Sequence, residues 1–442
     1  MQIAPETFKA YDIRGIVPDQ IDADAAEQVA RAFAALIKPR EVIVGRDVRL
    51  TGPEFRDRVV HGLTASGVEV LDIGRVSTDE FYYGCLEYDL PGIMITASHN
   101  PANYNGFKMV REMPTFVMAK DFKEWVVGKD YPNAATSGFV KEQSLTDDFV
   151  KKMIAMTDVA SIMPLRVVID TSNGSQGPIW EKLSAFLPID IVPLNFEPDG
   201  RFPNHGNDII QPDNQRQICE KVVEEEADLG LIFDPDGDRC IAIDNRGVAL
   251  PGDFMTALLA VAQLDKHPHS TILYDTRASR AVPDMVRAAG GTPFMWKPGH
   301  AYIKAKMKEI GAVFGGEVSG HFYFKAFGLA DSGILAGLSM LEYVSSLDGP
   351  LGEKIANLEQ NYHLSGEINS TVADPQAVLQ QIKERYHDGE INELSGVAVT
   401  YPDFRFVVRP SDNEPLVRLT LEASSRELME QKRDELLAII RG

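Results

Sequence analysis

A strand, an amphipathic helix and a second strand follow one another three times along this chain, and this recurrence limits the folds that it can adopt. The repeats cover residues 41–74, 166–194 and 271–296, and their first strands read VIVGRD, VVIDTS and ILYDTR. Repeats at domain-sized spacing indicate duplicated domains rather than a solenoid. Strands that alternate with helices predict mostly parallel sheets flanked by helices, with polar groups gathered where the strands end.

The last part of the chain has a different pattern. A strand near residues 367–372 precedes a helix that begins at about Pro375, and the apolar runs VAVTY, FRFVV and LVRLTLEA follow before a final helix over 426–440. Adjacent strands of this kind predict an antiparallel sheet. We therefore expect an α/β protein of three tandem similar domains with mixed, mostly parallel sheets plus a smaller C-terminal α+β domain, arranged around a central cleft.

Four domains are expected because a chain of 442 residues is too long for one hydrophobic core. The first would carry a serine-containing turn, the second an acidic turn, the third two glycine-rich runs, and the fourth a pair of arginines. Their predicted ranges are 1–150, 151–250, 251–366 and 367–442.

Charge and composition exclude several classes of protein. The net charge of −21 disfavours binding to nucleic acid or to an anionic membrane, since both need a positive surface. No apolar run approaches membrane-spanning length and residues 1–15 do not resemble a secretory signal, so we expect a cytoplasmic protein. Three cysteines without C-x-x-C spacing predict reduced thiols. In a chain with this net charge, an anionic small molecule would have to bind in a local basic cleft. The oligomeric state stays open between monomer and dimer.

The first candidate site is the segment 92–101, in which an apolar strand stops at a Ser-His-Asn-Pro turn. A proline biases the preceding residue away from helix, so Ser98 is presented at a strand end. A serine there is a candidate nucleophile or phosphate carrier, with His99 or a metal ion as its activator. Lys108 adds a cation close by in the sequence. A plain polar turn is the alternative interpretation.

Three carboxylates follow an apolar strand within five residues. Asp234, Asp236 and Asp238 repel one another by about 1 kcal/mol per pair even in water. A hard divalent cation such as Mg²⁺ relieves this repulsion. An EF-hand is excluded because Arg239 and Asn245 stand where its loop needs Gly and Glu. The sequence favours a metal site over a plain acidic turn.

Two further regions combine glycines or arginines with hydrogen-bonding groups. The runs 296–300 and 315–321 follow strand-like segments and contain groups that can bind hydroxyls or pass protons. In the tail, residues 409–415 and Arg418 place two arginines and a serine around a turn, which suits bidentate binding of a phosphate. Alternatively, the histidines have a structural role and the arginines lie on the surface without a function, so none of these motifs is specific alone.

In this order, the four regions resemble the signature of the α-D-phosphohexomutase family, nearest to its phosphomannomutase/phosphoglucomutase group. That signature comprises a TASHNP phosphoserine loop, a D-x-D-x-D-R metal loop, a G-E-x-S-G-H sugar loop and a C-terminal R-x-S phosphate loop, and residues 9–15 match its K-A-Y-D-I-R-G opening. The resemblance covers essentially the whole chain. It implies a mutase that moves a phosphoryl group between O1 and O6 of a hexose through phosphorylated Ser98 and a hexose 1,6-bisphosphate intermediate, which also acts as activator.

The resemblance also implies roles for individual residues. Mg²⁺ would be bound by Asp234, Asp236, Asp238 and a phosphoryl oxygen on Ser98. Residues implied in catalysis are Ser98, His99, Lys108, Arg14, Arg239, Arg277, His300 and His321. Residues implied in substrate binding are Tyr11, Lys297, Gly299, His300, Glu317, Ser319, His321, Arg409, Ser411, Asn413 and Arg418.

Mannose 6-phosphate is the expected substrate, and glucose phosphate is expected as well, because contacts to O3 and O4 ignore the C2 configuration that separates the sugars. The chain departs from the family pattern at Asp412 and Asn413, where relatives have a neutral residue and Thr, and at Pro298. Two functions of other classes stay open: a metal-dependent sugar-phosphate phosphatase, and a non-catalytic sugar-phosphate sensor.

Overall fold

The described part of the chain, residues 3–410 and 416–442 of a computed structural model, separates into two compact units. Unit one contains the residues up to Ala249 together with Ser319–Asp348, and unit two contains Leu250–Val318 and the residues from Gly349 onward. The chain therefore passes between the units three times. One passage, after Val318, divides the glycine-rich run 315–321 between them.

A seven-stranded mixed sheet organises the first part of unit one. Its strands are β1 (Ile13–Ile16), β2 (Glu41–Arg46), β3 (Glu69–Arg75), β4 (Gly92–Ile95), β5 (Tyr104–Glu112), β6 (Thr115–Phe116) and β7 (Val140–Glu142). The accompanying helices are α1 (Ala23–Ile37), α2 (Gly52–Ala65), α3 (Thr78–Tyr88), α4 (Ala119–Val126) and α5 (Thr146–Ala155). The strand order is β1-β5-β4-β2-β3-β7, with β6 beside β5.

The pairing in this sheet brings two loops together. β4 is fully buried, as expected for an apolar strand covered on both faces, and it runs parallel to β2 with Ile95 opposite Arg46. The carboxyl ends of β2 and β4 therefore meet at one edge, where ligands of α/β proteins usually bind. β5 is antiparallel to both β4 and β1. A Cβ at Gly106 would lie 1.9 Å from the oxygen of Ile13, so the close approach of β5 and β1 requires glycine.

A four-stranded sheet with the order β11-β10-β8-β9 forms the second part of unit one. Its elements are β8 (Leu165–Asp170), α6 (Gly177–Leu183), β9 (Ile189–Leu194), α7 (Pro212–Glu224), β10 (Leu229–Phe233) and β11 (Cys240–Asp244). β8 is parallel to β9 and β10, whereas β11 is antiparallel to β10. The acidic turn 234–239 joins β10 to β11, so it lies at the carboxyl end of a parallel strand.

The third repeat lies in unit two, where β12 runs parallel to both β13 and β14. The elements of this segment are α8 (Gly252–Lys266), β12 (Thr271–Asp275), α9 (Ala281–Ala288), β13 (Thr292–Trp296), α10 (His300–Ile310) and β14 (Phe314–Gly316). The chain then returns to unit one as the antiparallel pair β15 (Phe322–Phe324) and β16 (Ala330–Asp331), followed by α11 (Gly333–Ser345), which packs beside β11.

An antiparallel five-stranded sheet with the order β17-β21-β20-β19-β18 completes unit two. Its elements, preceded by α12 (Leu351–Asn361), are β17 (His363–Thr371), α13 (Pro375–Arg385), β18 (Glu390–Asn392), β19 (Val397–Thr400), β20 (Phe404–Pro410), β21 (Leu416–Ala423) and α14 (Arg426–Arg441). Ile382 and Leu436 from the two helices share a buried core with Phe406 and Leu419 from the sheet.

The predicted fold class is confirmed: α/β sheets built on three parallel repeats precede a smaller α+β part. The division into four domains stays a prediction. Cys85 and Cys240 are buried and Cys219 is half-buried, and all three are free thiols. Among the described residues, no helix has the length and apolar character needed to cross a membrane.

Candidate active site

Ser98 lies in the turn after β4 and contacts the acidic turn. Its side chain is buried, and its hydroxyl donates a hydrogen bond to Oδ2 of Asp234 at 3.0 Å. Its backbone is left-handed, with φ of 48°, a conformation that is uncommon for residues other than glycine and that clusters at functional sites. The candidate nucleophile and the first of the three carboxylates, far apart in sequence, therefore meet in unit one.

The buried guanidinium of Arg49, which no sequence motif singled out, holds the Ser98 turn in this conformation. It donates to the main-chain oxygens of Ser98, Asn100, Pro101 and Tyr104 at distances of 2.6 to 2.8 Å. Asp47 orients the guanidinium by accepting from its Nε at 3.1 Å. Arg49 and Asp47 follow β2, so the pairing of β2 with β4 places them beside the turn.

Three buried carboxylates converge in the turn between β10 and β11. Oxygens of Asp234, Asp236 and Asp238 lie within 4.8 Å of one another. The turn needs glycine at position 237, where φ is 76° and a Cβ would lie 2.2 Å from the Gln176 side chain. Burial and the two neighbouring aspartates raise the pKa of Asp234 well above its ordinary value. This excess of buried negative charge favours a bound cation.

The donor set fits a hard divalent metal. One oxygen of Asp236 is buried without a hydrogen-bond partner among the described residues, and Oδ1 of Asp238 is buried with Nε2 of His321 no nearer than 3.5 Å. Buried carboxylate oxygens that lack donors are the ligands that Mg²⁺ and Ca²⁺ prefer. The acidic turn can therefore hold a metal ion.

Lys108 and two threonines fix the orientation of these carboxylates. Nζ of Lys108 lies 2.8 Å from Oδ2 of Asp236 and forms a second ion pair with Asp238. Thr78 donates its hydroxyl to the same oxygen of Asp236 at 2.7 Å, and the hydroxyl of Thr96, whose closer acceptor is Oδ2 of Asp47 at 2.7 Å, lies 3.2 Å from that oxygen. Burial alone would lower the pKa of Lys108, but Asp236 and Asp238 raise it above its ordinary value. The lysine is therefore a fixed positive charge.

Arg239 engages His99 on the other side of Ser98. A guanidinium nitrogen of Arg239 lies 2.7 Å from Nδ1 of His99. Because a guanidinium only donates, Nδ1 accepts and the ring proton is assigned to Nε2. Burial and the positive charge of Arg239 lower the pKa of His99 well below its ordinary value. The hydroxyl of Ser98 is 3.3 Å from the same nitrogen, so Asp234 is its closer acceptor.

The other candidates of unit one lie close to this centre. Arg14 on β1 donates to Oδ1 of Asn100 at 3.2 Å, in the Ser98 turn, and Tyr11 is half-buried just before β1. Nδ1 of His321 is 3.0 Å from the hydroxyl of Ser319, and its Nε2 is 3.5 Å from Oδ1 of Asp238. The motif residues after the unit boundary thus lie beside the acidic turn.

In unit two, Glu317 brings together residues from two loops. The main-chain N–H of Gly299 donates to Oε2 of Glu317 at 2.9 Å, and Arg277 lies 3.5 Å from the same oxygen. Asp275, at the end of β12, holds the guanidinium of Arg277 at 2.6 Å. His300, the first residue of α10, is buried. A carboxylate and a guanidinium therefore lie near each other in this unit, and His300 directly follows Gly299, whose N–H binds the same carboxylate.

Lys297 contacts an aromatic ring of α10. Its ammonium stands 3.7 Å from the centroid of the Tyr302 ring, a cation–π contact that directs the side chain along α10. The positive charge of Lys297 is therefore paired with an aromatic ring in this contact.

The two tail arginines share one acidic partner that sequence reasoning missed. Glu367 on β17 accepts from Arg409 at 2.9 Å and from Arg418 at 3.3 Å. Burial and the positive charge of Arg277 lower the pKa of Arg409. Ser411 and Asn413, also expected to bind substrate, lie outside the described residues, as does Asp412.

The sequence signal for the missed residues differs from case to case. Arg49 and Asp47 stand in GRDVR after a predicted strand end, where polar residues were expected, so their position carried a signal. Thr78 and Asp208, which lies 3.6 Å from Arg239, stand in no recognisable motif. Glu367 begins a predicted strand, which marks it only as a strand residue.

Comparison with known proteins identifies the family. Models of the phosphoglucomutase/phosphomannomutase α/β/α domains I, II and III and C-terminal domain match residues 5–124, 147–247, 251–362 and 367–439. The phosphomannomutase of Salmonella montevideo is 36% identical over 448 residues, which cover 98% of both chains. The protein named phosphohexose mutases from Xanthomonas campestris pv. campestris is 36% identical over 443 residues, covering 98% of this chain and 99% of the relative.

A solved structure agrees with these relatives. The crystal structure of a phosphoglucomutase/phosphomannomutase family protein from Burkholderia thailandensis superposes with a TM-score of 0.90 and 31% sequence identity, covering 99% of this chain and 97% of that one. The family predicted from the sequence motifs is confirmed. The chain belongs to the phosphoglucomutase/phosphomannomutase family of phosphohexomutase enzymes.

Proposed function

We propose that this phosphohexomutase interconverts hexose 6-phosphate and hexose 1-phosphate through a phosphoserine at Ser98, with mannose as its preferred sugar and glucose as a second one. The observation that carries the proposal is the 3.0 Å hydrogen bond from the hydroxyl of Ser98 to Asp234 inside a cluster of three buried carboxylates. A serine that only stabilised a turn would not need such a cluster beside it. The names of the phosphomannomutase relatives support mannose.

Mg²⁺ is the cation that we assign to Asp234, Asp236, Asp238 and an oxygen of phosphorylated Ser98. A phosphoserine carries a charge of about −2 at neutral pH, which would be repelled by carboxylates at hydrogen-bond distance unless a cation is present. When bound, the metal supplies charge neutralisation and Lewis acidity at the transferring phosphoryl group.

The catalytic cycle consists of two phosphoryl transfers in opposite directions. In the first, the bond between Oγ of Ser98 and phosphorus breaks and Oγ takes up a proton, while a bond forms from phosphorus to the free hydroxyl of the hexose phosphate and a base accepts that hydroxyl's proton. The hexose 1,6-bisphosphate then turns, and its other phosphoryl group is transferred to Oγ of Ser98, which gives up its proton, while the freed sugar oxygen is protonated. His300 and His321 are the residues that we assign to these proton transfers.

Fixed positive charges stabilise the transferring phosphoryl group in this proposal. Arg14 and Arg239 contact the two residues that follow Ser98, and Lys108 contacts the carboxylates beside it, so all three are held by ion pairs or hydrogen bonds and need little reorganisation during the reaction. Arg277 is the further cation that we assign to the substrate. Preorganised charge supplies most of the catalysis in phosphoryl transfer.

The remaining expected residues would bind the substrate. Glu317 and Ser319 are assigned to the sugar hydroxyls O3 and O4, and Arg409 and Arg418 to the phosphate that is not reacting. Further residues assigned to substrate binding are Tyr11, Lys297, Gly299, Ser411 and Asn413. We expect the enzyme to work in the cytoplasm on small phosphosugars.

Phosphorus NMR tests this proposal directly. The protein is mixed with Mg²⁺, mannose 6-phosphate and a trace of mannose 1,6-bisphosphate, and compared with Ser98→Ala and with Ser424→Ala, an exposed serine of unit two. Mannose 1-phosphate should form with the unmodified protein and with Ser424→Ala but not with Ser98→Ala. Release of inorganic phosphate would support a phosphatase instead, and binding without any turnover of mannose or glucose phosphates would support a sensor.

A further inference from the structure

Glu367 bridges the two arginines to which the proposed function assigns the non-reacting phosphate. Arg409 on β20 and Arg418 on β21 are direct cross-strand partners, and β17, which carries Glu367, lies on the other side of β21. The two carboxylate oxygens of Glu367 each accept from one guanidinium, Oε2 from Arg409 at 2.9 Å and Oε1 from Arg418 at 3.3 Å. One internal anion therefore spans both cations.

The electrostatics of this arrangement favour an anion. Two like charges directly opposite each other on neighbouring strands repel. Arg277 adds a third positive charge, which together with burial lowers the pKa of Arg409. Side-chain exposures of 17% for Arg409, 32% for Arg418 and 31% for Glu367 leave all three groups accessible from solvent. A ligand from solvent can therefore reach the two arginines to which Glu367 is bound.

A phosphate would make the same kind of contacts as Glu367 does. Both present anionic oxygens to paired guanidinium groups, and a guanidinium offers its donors in a planar fork that suits either. The donors of Arg409 and Arg418 that point to Glu367 cannot serve a phosphate in full at the same time. The carboxylate and the ligand thus compete for the same cations.

We propose that Glu367 is an internal competitor of the substrate phosphate, bound to Arg409 and Arg418 while no phosphate is present and displaced when one enters. This inference rests on the proposed function, in which these arginines hold the non-reacting phosphate. Glu367 sets an upper limit on phosphate affinity and rebinds the arginines when the phosphate leaves. Such release is needed halfway through the cycle, because the bisphosphate intermediate must turn before its second transfer.

A purely positioning role for Glu367 predicts the opposite effect. If the carboxylate only held the two arginines in place, its neutralisation would loosen them and weaken phosphate binding. As a competitor, its neutralisation frees the arginines and strengthens binding. The sign of the change in affinity therefore separates the two roles.

Calorimetric titration with mannose 6-phosphate and Mg²⁺ measures this sign in a Ser98→Ala background, which prevents turnover. Glu367→Gln should bind roughly threefold to tenfold more tightly than the parent, as expected for loss of partly exposed ion pairs. Glu367→Ala should change the affinity in the same direction. The matched control is Glu390→Gln, which removes an exposed carboxylate of the same sheet and should leave the affinity unchanged.

Two further measurements complete the test. In an Arg409→Ala background the gain in affinity from Glu367→Gln should shrink towards zero, because one of the two arginines for which the carboxylate and the phosphate compete is then absent. In steady-state assays with Ser98 intact, Glu367→Gln should lower KM and also lower kcat, since the bisphosphate is held longer.

Unchanged or weaker binding by both Glu367 variants would overturn the inference, whatever the sugar. A parallel titration with inorganic phosphate keeps the test independent of sugar choice. The proposed function fails by a different observation, namely that the unmodified protein forms no hexose 1-phosphate. Turnover by the unmodified protein with no tightening in Glu367→Gln would reject the competitor alone.

Discussion

Lys108 neutralises part of the negative charge of the acidic turn. It is buried and makes ion pairs with Asp236 and Asp238, so it offsets part of their negative charge when no metal is bound. A buried charge without a partner is strongly destabilising. The lysine and the metal ion that we propose for this site would therefore both neutralise the three carboxylates.

Replacement of Lys108 by methionine should make the protein depend more strongly on Mg²⁺. The fold loses its internal cation, so Mg²⁺ should raise the thermal midpoint of Lys108→Met by more than that of the unmodified protein. Mutase activity should fall by about a hundredfold or more, because a fixed charge beside the transferring group is lost. Thermal unfolding with and without Mg²⁺ measures the first effect, and Lys141→Met, an exposed lysine on β7, is the control. Equal Mg²⁺ shifts in all three proteins would contradict this account.

Arg49→Lys should destabilise the protein and slow the reaction. An ammonium has three donors and cannot reach the four main-chain oxygens that the guanidinium serves, and each buried acceptor left unpaired costs about 1 to 3 kcal/mol. We expect the free energy of unfolding to fall by about 3 kcal/mol in urea titrations. Arg40→Lys, at a side chain that is 90% exposed, should change it by less than about 0.5 kcal/mol. If the two variants behaved alike, the support of the Ser98 turn by Arg49 would be refuted.

Short motifs predicted part of the candidate site because their residues are adjacent in sequence. Ser98 follows an apolar strand and precedes a proline, and the three aspartates fall within five residues, so both signals are local. Arg49 carried only the signal of its position after a strand, and Thr78 and Glu367 carried none that marked them as site residues. Thr78 contacts a residue 158 positions away, and Glu367 one 42 positions away. Only the folded chain makes such partners visible.

At the scale of whole elements, the sequence predicted those strands that contain enough buried residues for a hydrophobic pattern to be recognised. The parallel pairs of the three repeats and the antiparallel strands β19 to β21 are of this kind. By contrast, β7 is three residues long and entirely exposed, and β18 is equally short. Pairing with a neighbouring strand alone defines these two elements, so no pattern in their own residues predicts them.

Glu80, in the first turn of α3, should make stability depend on pH. Burial, with Asp79 beside it, raises the pKa of Glu80 to about 8, although Thr146 donates a hydrogen bond to it. Since the folded-state pKa lies above the ordinary value of 4.5, the protonated form favours folding. The stabilisation is present below pH 4.5 and is lost as the pH rises to about 8, by at most about 1.4 kcal/mol per pH unit.

Glu80→Gln, which cannot ionise, should abolish this part of the pH dependence. The variant should be more stable than the unmodified protein at about pH 9 and should lose that advantage at about pH 5. Urea unfolding at a series of pH values provides the comparison. Glu87→Gln, at an exposed position of the same helix, should follow the unmodified protein. Parallel profiles for all three proteins would argue against a raised pKa at Glu80.

On the scale of the whole molecule, the two units divide the chemical groups between them. Unit one contains Ser98, the three aspartates and Lys108, which the proposal assigns to phosphoryl transfer and metal binding. Unit two contains Glu317 and the arginines that the proposal assigns to sugar and phosphate. A metal ion should therefore act first on unit one.

Addition of Mg²⁺ should slow amide hydrogen exchange in one unit only. Peptides that contain residues 96–101 and 234–240 should become protected, because a ligand bound to the folded state suppresses local opening around its site. Peptides from α9 and α14 of unit two should exchange at unchanged rates. Mass spectrometry of the exchanged peptides gives the comparison, and Asp236→Asn should remove the protection. Protection of equal size in both units would show that the metal binds elsewhere.

Because the chain passes between the two units, the parts of unit one are synthesised at different times. All residues of the acidic turn and the Ser98 turn leave the ribosome before Ser319–Asp348, the segment that completes unit one. That segment includes α11, whose Gly337 packs close to Phe233, and Ser332, whose hydroxyl donates to buried Asp79 at 2.8 Å. At about 5 to 20 residues per second, the delay after residue 249 is roughly 5 to 20 s. During this interval the apolar surface of unit one that α11 covers in the folded protein is exposed, so we expect chaperones to bind the nascent chain.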